Sequence, residues 1–156
     1  MKREIFVGGV GIGGSHPVSI QSMTNTPAHD VEGTLRQIRR LKRAGCDLVR
    51  VAVPERQALA PFRRIVAGAA LPVIADIHFD AALAIGALEA GAHGIRINPG
   101  NIGGDAKLKQ VIRLAAERRV PIRIGVNAGS LEKKLRGLPR AEAMVRSLLD
   151  RVRFFE

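Results

Sequence analysis

Five short apolar runs rich in Val and Ile recur along this chain at intervals of roughly 25 residues, each followed by a stretch with helical spacing. That alternation limits the fold more than any other feature. Parallel strands cannot be joined by a tight turn. They need a crossover of a dozen or more residues, which each intervening stretch can supply. The runs read as strands over residues 18–23, 47–53, 71–78, 93–98 and 120–126. The stretches read as helices over 31–44, 55–68, 80–90, 105–119 and 140–155. Asp30 stands where a first helix needs a cap, and Gly45 and Gly91 stand where helices should stop. The expected architecture is α/β, with about five βα units, a parallel sheet and right-handed crossovers. Residues 4–14 come first and read as a short glycine-rich hairpin. Gly9, Gly11 and Gly14 approach a GxGxxG pattern, but His16-Pro17 follow instead of a helix, so a dinucleotide fingerprint is rejected.

Composition narrows the class further. The chain has 156 residues, enough for one domain with its own core. Apolar residues make up 46%, but aromatics only 3%, with no Trp or Tyr. The core must then be Val, Ile, Leu and Ala, which suits parallel strands covered on both faces. The same scarcity removes the stacking platforms that single-stranded nucleic acid requires. The net charge of +11 is compatible with nucleic acid, an anionic membrane or an acidic substrate. Much of it falls on Arg36, Arg39, Arg40, Lys42 and Arg43, while Leu35, Ile38 and Leu41 keep helical spacing. That pattern reads as an amphipathic helix with a solvated basic face and a cation-rich last turn. The single Cys46 permits no internal disulfide and fits a reducing, cytoplasmic setting. It reads as a small buried residue between a helix and a strand. No apolar run suggests a signal peptide or a membrane span.

Three of these strands carry an arginine. Arg50 lies in Leu-Val-Arg-Val-Ala-Val, Arg96 in Gly-Ile-Arg-Ile-Asn and Arg123 in Pro-Ile-Arg-Ile-Gly. A buried guanidinium needs a partner, because arginine cannot shed its proton. Internal carboxylates such as Asp76 or Glu89 could serve. Three arginines in equivalent strand positions point instead to a shared anionic ligand, with phosphate or carboxylate matching the guanidinium fork. The two-residue period sorts the neighbours. Asp76 and His78 oppose Val73, Ala75 and Ile77, and Arg96 and Asn98 oppose Ile95 and Ile97. Arg123 and Gly125 oppose Ile122 and Ile124, and Asn127 continues the polar side. These polar residues gather at the C-terminal strand ends, where α/β folds carry their chemistry. The bland readings are a structural Asp76–His78 pair and a turn role for Asn98 before Pro99-Gly100. His16, His29 and His93 lack metal-ligand spacing and read as structural or surface residues. Five units are too few to close an eight-stranded barrel, so the chain reads as part of something longer.

Four runs carry a more specific signal. They are Ser19-Ile20-Gln21-Ser22-Met23-Thr24-Asn25-Thr26, Ala75-Asp76-Ile77-His78-Phe79-Asp80, Arg96-Ile97-Asn98-Pro99-Gly100-Asn101-Ile102-Gly103, and Pro121 to Lys133. In that order, and from about Val7 to the last helix, the chain strongly resembles the 4-hydroxy-3-methylbut-2-enyl diphosphate synthase family of the non-mevalonate isoprenoid pathway. The resemblance implies an N-terminal TIM barrel followed by an iron–sulfur domain. It implies reductive ring opening and dehydration of 2-C-methyl-D-erythritol 2,4-cyclodiphosphate to the open-chain allylic diphosphate. It also implies a [4Fe-4S] cluster held by three Cys and one Glu, a ferredoxin or flavodoxin-type electron donor, and a homodimer. Carried over by residue, Arg50, Arg96 and Arg123 become diphosphate ligands, with Asn98 and Asn127 as accompanying donors. Asp76 and His78 become the catalytic pair, positioning the substrate and relaying protons. Asn101 and Ser130 fall in matching loops and shape them.

No cluster ligand of the family matches this chain, Cys46 included. Residues 1–156 are thus expected to be an incomplete TIM-barrel domain, inactive alone, with the iron–sulfur domain absent. Its open sheet edges should make it prone to aggregate or dimerise. Two rivals stand beside this reading. One is another phosphate-binding TIM-barrel enzyme of the pterin-binding kind. The other is a basic nucleic-acid-binding module, whose mark would be steep salt dependence.

Overall fold

The computed structural model describes residues 3–99, 102–127, 129, 131, 135 and 137–156. Two short strands, β1 (Glu4–Val7) and β2 (Val10–Gly13), pair antiparallel as the N-terminal hairpin. The alternating part follows as β3 (Gln21–Met23), α1 (Val31–Arg43), β4 (Leu48–Ala52) and α2 (Leu59–Gly68). It continues with β5 (Val73–Ile77), α3 (Ala81–Glu89), β6 (Gly94–Ile97), α4 (Asp105–Glu117), β7 (Ile122–Ile124) and α5 (Arg140–Phe155). Strands β3 to β7 form one parallel sheet in chain order. This is the expected partial (β/α)8 barrel, with five βα units behind a hairpin.

The local chemistry explains the boundaries. The Asp30 carboxylate accepts from the Gly33 N–H at 2.8 Å, satisfying an orphan donor of α1. Gly45 ends that helix in the left-handed region, φ 91°, where a side chain would be strained. Residues 55–68 do not form one helix. A 3-10 turn, Arg56–Ala58, precedes α2. The strand over 18–23 is shorter than its apolar pattern suggests, because Val18 is 95% exposed and has nothing to pack on. Ile20 instead ties to Asp47, whose carboxylate accepts its N–H at 2.7 Å.

Each strand divides its side chains between two layers. Val49, Val51, Val73, Ala75, Ile77, Ile95 and Ile97 point outward and pack with Ile38, Phe62, Ile65, Leu88 and Leu108 of the helices. The inner face is different. Leu48 and Ile74 are covered by Val7, with Val10 and Ile12 beside them, so the hairpin closes the N-terminal end of the strands. A largely apolar cavity of about 440 Å³ lies between hairpin and sheet, reaching Gln21 and Arg123. The polar residues occupy the other end of this inner face. Among the described residues, no helix is long and apolar enough to cross a membrane.

Candidate anion-binding site at the strand ends

Parallel register assembles the polar face. Ala52 pairs with Asp76, Asp76 with Arg96, and Arg96 with Arg123, placing three charged residues on one rung. Arg50 pairs with Ile74, one inward-facing position lower, so the three arginines are staggered, not level. The stagger follows from the tilt of neighbouring strands and has no signature in any single strand.

Asp76 is the hub. Its side chain is 3% exposed, and its Oδ1 lies 3.4 Å from Arg96 Nη1. Its Oδ2 lies 3.6 Å from Arg50 Nε and 3.1 Å from His78 Nε2. A charge so buried needs a counter-charge, and here two guanidiniums share one carboxylate. The internal pairing that the sequence allowed is therefore present for Arg50 and Arg96. Glu89 is exposed at the end of α3 and is not among their ion-pair partners. Arg50 Nη2 reaches Met23 Sδ at 3.3 Å, while its Nε is buried without a hydrogen-bond partner among the described residues. One carboxylate cannot neutralise two guanidiniums, so among the described residues the cluster keeps a positive surplus.

Arg123 departs from the sequence reading. Its place among β-branched residues suggests burial, yet it is exposed. Among the described residues β7 is the last strand of the sheet, with no neighbouring strand on that side. Its Nη1 donates across the inner face to Gln21 Oε1 at 3.2 Å, joining the first strand of the sheet to the last. Asn98 is buried just past β6, whereas Asn127 is exposed past β7. His78 sits at the rim, with its ring 5.8 Å from that of Phe79, which is 73% exposed. Asn101 and Ser130 lie outside the described residues.

Three participants were missed by pattern reading alone. Gln21 and Met23 lie on a three-residue strand whose period is too short to assign a face. Gly125 shares the polar phase of Arg123, but with no side chain it offered no functional group to single out. An alanine Cβ there would fall 2.5 Å from Arg96 Nη2. The register was the available signal, since Arg96 pairs with Arg123 and the Gly125 N–H donates to Ile97 O at 2.8 Å.

His93 and His16 play structural parts, and His29 is exposed. His93 Nδ1 accepts the Val73 N–H at 3.1 Å at the opposite end of the sheet, and burial lowers its pKa below the ordinary 6.5. His16 approaches Glu4 and packs edge-on against Phe6 in the hairpin. Cys46 is half-buried between α1 and β4, at the N-terminal end of the strands. No group of three or more His, Cys, Asp or Glu among the described residues could hold a metal. An iron–sulfur cluster is held by several thiolates, so this chain's donor set, with its single cysteine, does not fit one.

Comparison with known proteins agrees with this architecture. The solved 7,8-dihydropteroate synthase of Vibrio fischeri superposes with TM-score 0.57 at 16% identity, covering 78% of this chain and 48% of that one. A mandelate racemase/muconate lactonizing protein from Paracoccus denitrificans gives TM-score 0.56 at 16% identity, over 69% of this chain and 29% of that one. At such identities the likeness is one of fold. Sequence relatives are nearer. The 4-hydroxy-3-methylbut-2-en-1-yl diphosphate synthase (flavodoxin) of Maridesulfovibrio salexigens is 52% identical over 157 residues, covering 99% of this chain but 44% of the relative. The protein of the same name from Aquifex aeolicus is 52% identical over 150 residues, covering 94% of this chain and 42% of the relative. The chain thus spans less than half the length of these relatives. The model of the GcpE TIM-barrel domain matches residues 2–156, and the chain belongs to that family.

Proposed function

We propose that this domain is the diphosphate-binding part of a 4-hydroxy-3-methylbut-2-enyl diphosphate synthase, acting in the reductive ring opening and dehydration of 2-C-methyl-D-erythritol 2,4-cyclodiphosphate. The observation that carries this is the surplus of positive charge at the strand ends. Among the described residues Arg50 and Arg96 share one carboxylate, Asp76, and Arg123 lies on the same rung with its Nη1 on Gln21, in a chain 52% identical to synthases of that name. The cyclic diphosphate brings the missing negative charge, and guanidinium forks match its oxygens.

In this reading Arg50, Arg96 and Arg123 bind the diphosphate, and Asn98 and Asn127 add hydrogen-bond donors. Asp76 orients Arg50, Arg96 and His78. His78, 46% exposed at the rim, is placed to meet the substrate and move a proton to or from it. The two electrons come from outside this domain, through a cluster whose ligands belong to the remainder of the longer protein. The relatives' names include flavodoxin, so a flavodoxin-type donor is the proposed electron source, and a cytoplasmic homodimer the proposed working form.

The test is turnover by the full-length protein carrying this domain, assayed with the cyclic diphosphate and a reductant, beside Arg50→Ala, Arg96→Ala and Arg123→Ala. The expected result is wild-type product formation and a fall in kcat/KM of at least tenfold for each variant. Losing a charged hydrogen bond to a buried anion corresponds to about 1.5–3 kcal/mol. Wild-type kinetics from all three variants would overturn the reading.

A further inference from the structure

We infer that Gly125 is a positioning residue of the anion site, acting through the Arg96 guanidinium. The inference rests on the proposed function and deepens it. Gly125 follows β7, and its N–H donates to Ile97 O at 2.8 Å, holding it beside β6. Its φ is not positive, so the backbone conformation does not demand glycine. Space does. A Cβ at this position would fall 2.5 Å from Arg96 Nη2, 2.8 Å from Nε and 2.9 Å from Cζ. The guanidinium therefore rests on the bare Cα of Gly125 while its Nη1 points to Asp76 Oδ1 at 3.4 Å.

These two contacts fix the head group from two sides. The carboxylate sets where Nη1 points, and the glycine sets how deep the plane lies against the sheet. A methyl group would lift the guanidinium by roughly 1 Å to reach ordinary van der Waals distance. The clash is with the far end of a flexible side chain, so the strand need not move. The fold should survive while the fork turns away from both Asp76 and the bound diphosphate. A misplacement of that size is enough to cost up to about 100-fold in a positioned reaction.

The experiment uses the full-length protein and four forms: wild type, Gly125→Ala, Arg96→Lys and the double variant. Expected for Gly125→Ala are a cooperative unfolding transition whose midpoint falls by no more than that of Asp76→Ala, an unchanged KM for the reductant, and KM for the cyclic diphosphate raised about tenfold or more. The inhibition constant for inorganic pyrophosphate should rise in parallel. In the Arg96→Lys background the alanine should add less than about twofold, because lysine has no planar fork to displace. A Gly125→Ala enzyme with wild-type KM and pyrophosphate affinity would overturn the inference. So would an equal loss in both backgrounds, which would mean that the glycine acts on something other than Arg96. A wild type that neither turns over the cyclic diphosphate nor binds pyrophosphate would remove the proposed function and this inference with it. A working wild type matched by Gly125→Ala would remove this inference alone.

Discussion

A carboxylate that is 3% exposed between two guanidiniums cannot be removed without leaving both in need of a counter-charge. Asp76→Ala should therefore destabilise the domain, by about 2–3 kcal/mol. That is less than for a fully enclosed pair, because the Arg50 and Arg96 side chains keep 24% and 14% exposure. Denaturant unfolding of the variant would show the loss as a lower midpoint at constant slope. His93 makes a different prediction. Its pKa is lowered in the folded state by burial, so below pH 6.5 the unfolded chain takes up a proton first. The stability it contributes is fully present above 6.5 and is lost as pH falls through the lower folded value. His93→Asn, which can keep an acceptor for the Val73 N–H, should flatten that part of a stability–pH curve. An unchanged acid slope would show that His93 is not its source.

Helix α1 is stabilised by features legible in its sequence. Asp30 caps its first turn, Glu32 lies in that turn, and Arg40, Lys42 and Arg43 lie in its last. Asp30→Ala should cost about 1 kcal/mol, readable by thermal unfolding, while leaving the pyrophosphate affinity of the strand ends intact. The hairpin has a tertiary role. Leu48 is 2% exposed, packed under Val7 on the inner face. Leu48→Ala should cost about 2–4 kcal/mol, a loss also checked by denaturant unfolding. Asp80, which caps α3 as Asp30 caps α1, accepts from the Ala82 N–H at 2.9 Å right after the His78-Phe79 rim. This cap therefore fixes the exit of β5 as well as the helix.

Within the described residues the sheet has two unpaired edges, β3 and β7. Val145, Leu148 and Leu149 of α5 are 40–56% exposed, and beside β3 Ile20 is 57% and Val18 95% exposed. Edges with unpaired backbone groups beside apolar side chains recruit further strands. The 156-residue chain by itself should then self-associate, with light scattering giving a mass well above 16.8 kDa that rises with concentration. A concentration-independent monomer would count against this.

The alternation of five strands and five helices was legible in the residues because both periods are local. A strand repeats every two residues and a helix every 3.6, whatever lies around them. For the same reason Arg50, Arg96, Asn98, Asp76 and His78 could be placed on one side of their strands before any contact was known. Their partners could not be. That Arg50 sits a rung below Arg96, that both share Asp76, that Arg123 spans the face to Gln21, and that Gly125 carries the Arg96 head group all depend on register and tilt between strands. Register is a relation between segments twenty to a hundred residues apart, fixed when the outer β-branched layer packs against the helices. Composition and periodicity can say which face a side chain takes, but only packing brings two such faces to the same height.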